Sequence, residues 1–411
     1  MTEIAITRLG HRGDGIGEGP DGRTVFAART LPGEVVAGEI EGDRIEVPAI
    51  VTPSPQRVSA PCVHYRSCGG CALMHASDSF VAGWKTGTIE TALAAQGLDA
   101  PLRPIATSPP RSRRRASLAG RRTRKGALVG FHARRSDTIV PITDCHVLAP
   151  GLMAAVPVLE DITRLGGSRA GVLSFAITQS ESGVDLRVTG GKPLDGPLRA
   201  ALGAFAGHFV RLTWEDEPIF AATPPVVRFG NAAVTPPPGA FLQATAHGEA
   251  ALLWAVEEAV GDATRIADLF AGCGTFALPM ARRATVHAVE GEAALLAALD
   301  AGARHAQGLK PVKTETRDLF RRPMMATELS AYDAVVIDPP RAGAEAQTRA
   351  LAEARVPAIA AVSCNPVTFA RDAAILTHAG YRLNWVQPVD QFLWSTHVEL
   401  AASLTLAHID A

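Results

Sequence analysis

The chain has 411 residues, 47% of them hydrophobic, and a formal net charge of −1. That length accommodates two or three domains, and the near-zero charge excludes a polycation that would coat nucleic acid with its whole surface. No apolar run approaches the ~20 residues that cross a bilayer, and Met1-Thr2-Glu3-Ile4-Ala5 lacks the basic and apolar regions of a secretory signal. A cytoplasmic protein with no membrane partner is the expectation. Six cysteines in such a chain point to metal or catalytic roles rather than to a disulfide framework.

Residues 1–52 read as short strands separated by turns at Gly13-Asp14-Gly15 and Pro20-Asp21-Gly22. Alternating stretches such as Thr24-Val25-Phe26-Ala27 predict a small all-β barrel. Thr52-Pro53-Ser54-Pro55 marks a linker, and Cys62, Cys68 and Cys71 follow it. Gly69-Gly70 permits the tight turn that aims two sulfurs at one centre. With Cys145 as a fourth ligand, the set suits either a [4Fe–4S] cluster or zinc. The spacing of Phe80, Trp84, Ile89 and Leu93 predicts a helix over about residues 80–97.

From about residue 110 to 235 basic strands mix with irregular segments, an α+β region. Ten arginines and lysines and no acid lie between Arg111 and Arg135. A charge run is most often a solvated face, but beside a cysteine cluster this one fits phosphate contacts to folded RNA. Residues 171–178 and 184–188 predict a hairpin. After Pro236-Pro237-Pro238 helices and strands alternate: a helix over about 246–260, strands at 265–269, 286–289, 334–337 and 358–363, and a helix from Phe276. That alternation predicts an α/β domain with a parallel sheet between helices. The expected domains are 1–52, 53–235 and 236–411.

Asp268 ends the first of those strands, and Gly272-Cys273-Gly274 turns the chain into a helix. Glycine lets backbone approach a ligand, and a helix N-terminus favours an anionic group. Glu290, at the end of the next strand, is placed to bind ribose hydroxyls, and Asp318 to meet an adenine edge. Gly272, Gly274 and Ala277 also satisfy a dinucleotide fingerprint. Asp338 before Pro339-Pro340 and Cys364 in Ser363-Cys364-Asn365-Pro366 favour S-adenosylmethionine over NAD, because a dehydrogenase has little use for either.

Cys364 follows a strand and so lies at the carboxyl end of the sheet, where ligands bind in such folds. A lone cysteine is more often buried and inert. Here Asn365-Pro366 turns the chain to expose the thiol, and Arg371 is the nearby cation in sequence expected to lower its pKa. Uracil C5 is too weak a nucleophile to take a methyl group unaided. Addition of a thiolate at C6 makes an enolate with electron density at C5, and a base must then remove the C5 proton before the thiolate leaves. Glu399, in His397-Val398-Glu399, supplies a carboxylate for that step, and Asp338 is placed to orient the ring. Cytosine-C5 methylation also uses a cysteine and an acidic Pro-Pro loop, and an RNA-binding protein retaining a decayed fold is the non-enzyme alternative. The cysteine set and Glu399 disfavour the first, and the intact Cys364, Glu399 and glycine turn disfavour the second.

With these motifs in this order the chain resembles the S-adenosylmethionine-dependent RNA uracil-C5 methyltransferases, within them the iron–sulfur-containing 23S rRNA branch. The resemblance implies that residues 1–52 form a TRAM-like, OB-like barrel and that residues 236–411 form a Rossmann-like methyltransferase domain. It implies that Cys62, Cys68, Cys71 and Cys145 bind [4Fe–4S] rather than zinc. Gly239-Ala240-Phe241-Leu242-Gln243 is similar to the segment whose phenylalanine and glutamine reach the base and the cofactor. By the same matching Gln243, Phe270, Gly272, Gly274, Thr275, Glu290, Asp318 and Asp338 line the cofactor pocket, with Cys364 the nucleophile and Glu399 the base. The RNA target implied is 23S rRNA, with tRNA the alternative, and a monomer is expected. The target uracil must leave its stack to reach Cys364, with Phe241 the expected stacking partner.

Overall fold

The N-terminal alternation resolves into strands Thr2–Leu9, Gly15–Glu18, Thr24–Ala27, Val35–Gly38, Arg44–Ile45 and Ala49–Thr52 in a computed structural model that describes residues 2–407. They form one six-stranded sheet around a small core of Ile4, Ile6, Val25, Ala27, Val36 and Ile45, the inward half of a period-2 pattern.

The central region is built on a seven-stranded sheet whose middle strands are Arg115–Arg122, Leu173–Gln179 and Val184–Thr189. The expected hairpin is present, with Phe175 opposite Val188. Helix Pro150–Gly166 covers this sheet, burying Leu152, Leu159 and Ile162 among the same core as Phe175 and Leu186.

The C-terminal region carries an eight-stranded sheet in the order Val312–Thr316, Thr285–Glu290, Arg265–Leu269, Ala334–Ile337, Ala358–Ser363, Glu399–Leu406, Tyr381–Asp390 and Ala106–Thr107. The first five run parallel, and Glu399–Leu406 runs antiparallel to both its neighbours. Ala334–Ile337 is buried at every position, as a parallel strand covered on both faces must be. The helix expected from Phe276 is only the single turn Ala277–Met280, and the next strand begins at Thr285. Strand order reverses beside Arg265–Leu269, and the crevice opens at such a point outside the carboxyl ends of the strands.

Two segments from within residues 53–235 pack with this sheet. Ala106–Thr107 pairs with Val389 and Asp390 at its edge. Helix Asp78–Ala94 packs into the C-terminal core through Ile89 and Leu93. Its buried stripe is Val81, Lys85, Ile89 and Leu93, so a lysine occupies a position that hydrophobic spacing alone would not select. Lys85 is fully buried, pairs with Asp390 at 2.6 Å and donates to the Phe392 carbonyl at 3.1 Å. A buried ammonium persists only with such partners. Among the described residues no helix is long and apolar enough to cross a membrane.

Candidate active site

A cleft of ≈ 550 Å³ lies at the strand ends and is lined by Gln243, Phe270, Gly272, Thr275, Glu290, Asp318, Asp338, Cys364 and Glu399, with Phe241 among them. Gly274 is absent from the lining. Its Cβ position would meet Leu278 at 2.8 Å and Leu299 at 3.0 Å, whereas Gly272 faces open space. Both have positive φ, +55° at Gly272 and +100° at Gly274, a conformation that favours glycine. Gly272 therefore leaves room for a ligand against the backbone, and Gly274 closes the turn onto the protein core.

The Glu290 carboxylate accepts from the backbone N–H groups of Gly272 at 3.0 Å, Gly291 at 2.5 Å and Glu292 at 3.1 Å. Oε1 takes the Gly291 and Glu292 bonds and Oε2 only that of Gly272, so Oε2 retains acceptor capacity toward a hydroxyl. Asp318 caps the turn after its strand, accepting from Phe320 N at 3.0 Å. Phe320 packs on Phe270 with ring centroids 5.4 Å apart, so an aromatic pair lines the cleft beside Asp318. Burial pushes the Asp338 carboxyl up to about 7.

Cys364 is half-buried. Ser363 pairs with Leu400, which brings Cys364 and Glu399 to one end of adjacent strands. Burial, and then the neighbouring Glu399 and Asp338, push the thiol up to about 11, opposed by Arg341. Burial and Asp338 push Glu399 up to about 8, while Gln391, Arg341 and Arg115 favour its charged form. The expectation that Arg371 lowers the thiol pKa is corrected here. Arg371 pairs with Asp372 at 2.7 Å and donates to the Ala342 carbonyl; the cation acting on Cys364 is Arg341.

The basic run is also corrected in part. Arg111 pairs with Asp144 at 3.0 Å, Arg114 pairs with the largely buried Glu249, and Arg134 and Arg135 both pair with Asp14. Arg113 lies over the Phe392 ring at 5.7 Å, and Arg115 over Phe241 at 4.3 Å. These arginines join parts of the protein rather than forming a free cationic face. Among the described residues Arg121, Arg122, Arg124 and Lys125 have no ion-pair partner. Sequence reasoning does not pick out Gln391 or Arg341 as site residues; Arg341 directly follows Asp338-Pro339-Pro340, and that adjacency is the signal that could find it.

Cys62, Cys68, Cys71 and Cys145 line one largely apolar cavity of ≈ 50 Å³ together with Met74, Phe131 and Ile142. Burial first, and then the mutual repulsion of the sulfurs, push the Cys71 thiol up to about 12. Among the described residues no three histidines, cysteines or acids stand close enough to hold a single metal ion.

Comparison with known proteins follows the same outline. A family model described as tRNA (Uracil-5-)-methyltransferase matches residues 234–406. An uncharacterized RNA methyltransferase of Brucella suis biovar 1 is 46% identical over 405 residues, 98% of this chain and 97% of the relative. A 23S rRNA (uracil(1939)-C(5))-methyltransferase of Halomonas elongata is 33% identical, over 100% of this chain and 90% of that one. The structure of the Pyrococcus abyssi tRNA (uracil-54, C5)-methyltransferase in complex with S-adenosyl-L-homocysteine is similar in fold, with a TM-score of 0.75 at 21% identity over 98% of this chain and 99% of its own.

Proposed function

The chain belongs to the RNA uracil-5-methyltransferase family, and we propose that it methylates C5 of a uridine in 23S rRNA, using S-adenosylmethionine, through a covalent intermediate on Cys364. The observation that carries this reading is that Gly272, Glu290, Asp338, Cys364 and Glu399 line one cleft. The open backbone at Gly272, the Glu290 carboxylate and the Phe270–Phe320 pair fit the methionine, ribose and adenine parts of the cofactor. When bound, the cofactor supplies an electrophilic methyl group.

The Cys364 thiolate adds to C6 of the uracil, forming a C–S bond and moving the ring's electron pair toward C5. After methyl transfer Glu399 takes the C5 proton, the C5–C6 double bond re-forms and the thiolate leaves. A carboxylate with raised proton affinity suits this task better than an ordinary glutamate. Asp338 orients the ring, and Phe241, 59% exposed, offers a face to the unstacked base.

Cys62, Cys68, Cys71 and Cys145 would hold a [4Fe–4S] cluster. This is supported by four cysteines around one apolar cavity. A bound cluster would tie the cysteine segment to the central sheet. The rRNA target is supported by the full-length similarity to the Halomonas elongata enzyme.

Radiolabelled S-adenosylmethionine with separate 23S rRNA and tRNA transcripts tests the reading. Label is expected as 5-methyluridine in 23S rRNA. Label confined to tRNA would overturn the target, and label at cytidine would overturn the base.

A further inference from the structure

Gln391 is 1% exposed and lies in the loop between the last two strands of the sheet. Its Oε1 accepts from Ala244 N at 2.7 Å and Thr245 N at 3.4 Å. Backbone N–H groups are obligatory donors, so the atom facing them is the oxygen whichever way the amide is drawn. Nε2 must then point the other way, and it donates to Gln243 Oε1 at 2.6 Å. The second amide inherits the constraint. With its oxygen held by Gln391, Gln243 turns its own NH₂ to the remaining side.

The surroundings hold this arrangement rigid. Arg114 Nε donates to the Gln243 carbonyl at 3.1 Å, and the Arg114 backbone N–H donates to the Ala244 carbonyl at 2.9 Å. Ser108 and Thr245 hydroxyls meet at 2.7 Å. Gly248, on the first turn of helix Ala246–Val260, leaves the space that Gln391 fills, since a Cβ there would stand 2.7 Å from the Gln391 Cβ. Gln243 is 3% exposed yet lines the cleft, and among the described residues no protein group accepts from its Nε2.

We propose that Gln391 is a positioning residue that locks the Gln243 amide with its N–H donors toward the cleft, preset for a carbonyl or carboxylate oxygen of a bound ligand. This rests on the proposed methyltransferase reading. Two ligands bring such an oxygen to this cleft, the cofactor's carboxylate and the pyrimidine carbonyl. A locked donor rewards either and rejects an amino group in the same place, because a second donor would leave two buried N–H groups facing each other. The amide of Gln391 also favours the charged form of Glu399.

A double-mutant cycle on the full-length protein tests this, using Gln391→Met, Gln243→Ala and the pair. Two quantities are read: the Kd for S-adenosylhomocysteine by calorimetry, and kcat and KM for RNA methylation. Loss of one positioned hydrogen bond predicts roughly a tenfold effect. It falls on the Kd if the acceptor is the cofactor carboxylate, and on RNA kcat/KM with an unchanged Kd if it is the pyrimidine. In the Gln243→Ala background, Gln391→Met should add little, because residues acting as one unit are not additive. Full additivity, or unchanged Kd and kcat/KM in Gln391→Met, overturns the proposal. If Gln391→Met does not fold, amide-exchange NMR on the unmutated protein decides. The Gln391 NH₂ should exchange slowly, and exchange as fast as an exposed glutamine also overturns the proposal. Failure of the unmutated protein to methylate uridine would sink the functional reading, while the exchange and S-adenosylhomocysteine measurements would still report on the relay.

Discussion

Cys364 and Glu399 leave neighbouring antiparallel strands at the same end, held there by the Ser363–Leu400 pair. The register of two strands thus sets the proposed nucleophile and the proposed base at one place. Glu399 disfavours the charged form of Cys364, and Asp338 disfavours that of Glu399, as like charges in one buried site do.

Their separate steps are distinguishable. Cys364→Ala should give neither methylated RNA nor a covalent protein–RNA species. Glu399→Gln should add the thiol and accept the methyl group, then stall before proton removal. A denaturation-resistant adduct carrying the cofactor's methyl label is expected in Glu399→Gln and should vanish when Cys364 is also replaced. Gel analysis of labelled protein checks this, and normal turnover by Glu399→Gln would place the base elsewhere.

Stability should depend on pH through the same cleft. Glu399 is raised from 4.5 to about 8 and Asp338 from 3.8 to about 7. The folded protein therefore keeps protons that the unfolded chain has lost. Their contribution is fully present below the unfolded values and is lost as pH rises through the folded ones. The melting temperature of the ligand-free protein should fall between about pH 5 and pH 8. Glu399→Gln should flatten that fall by a few degrees, given ~2–4 °C per kcal/mol for a domain of this class. Scanning calorimetry at both ends of the range would reveal an unchanged slope if Glu399 did not titrate there.

The arginines separate into two groups by partner. Replacing Arg121, Arg122, Arg124 and Lys125 together should flatten the salt dependence of RNA binding, by roughly 0.7–0.9 in slope for each phosphate no longer neutralised. Arg114→Ala should instead destabilise the protein, on the order of 3–5 kcal/mol, by leaving Glu249 buried without its partner. Filter binding across salt concentrations and denaturant melts distinguish these outcomes. A salt slope carried by Arg114 would contradict them.

The cysteine cavity predicts composition. Anaerobically purified protein should be brown, with iron and sulfide near stoichiometric for one cluster, and Cys145→Ser should lose both. Colourless protein with one zinc per chain would overturn the iron assignment.

The glycine turn, Cys364 and Glu399 were legible in the sequence because each sits in a short string beside a strand end, where local pattern and site coincide. Gln391 was not, because its partner Gln243 lies 148 positions away and nothing local marks the pair. Arg111, Arg113, Arg114, Arg115, Arg134 and Arg135 differ from expectation for a related reason. A charge run looks the same whether water or distant partners such as Glu249 and Phe392 receive it. Lys85 likewise reads as a break in a hydrophobic stripe until Asp390 is placed beside it.

That last pair bears on the order in which the protein is made. Lys85 and Phe392 stand 307 positions apart, so the helix carrying Lys85 leaves the ribosome long before its partners exist. Docked without Asp390, its ammonium would be buried and uncompensated, a cost that disfavours early closure. The N-terminal six-stranded sheet and the central sheet have their own cores and can form as they emerge. Helix Asp78–Ala94 must wait for the last strands of the chain. Because the loop leading to Glu399 closes over that same lysine, the docking of this helix and the completion of the cleft are one event.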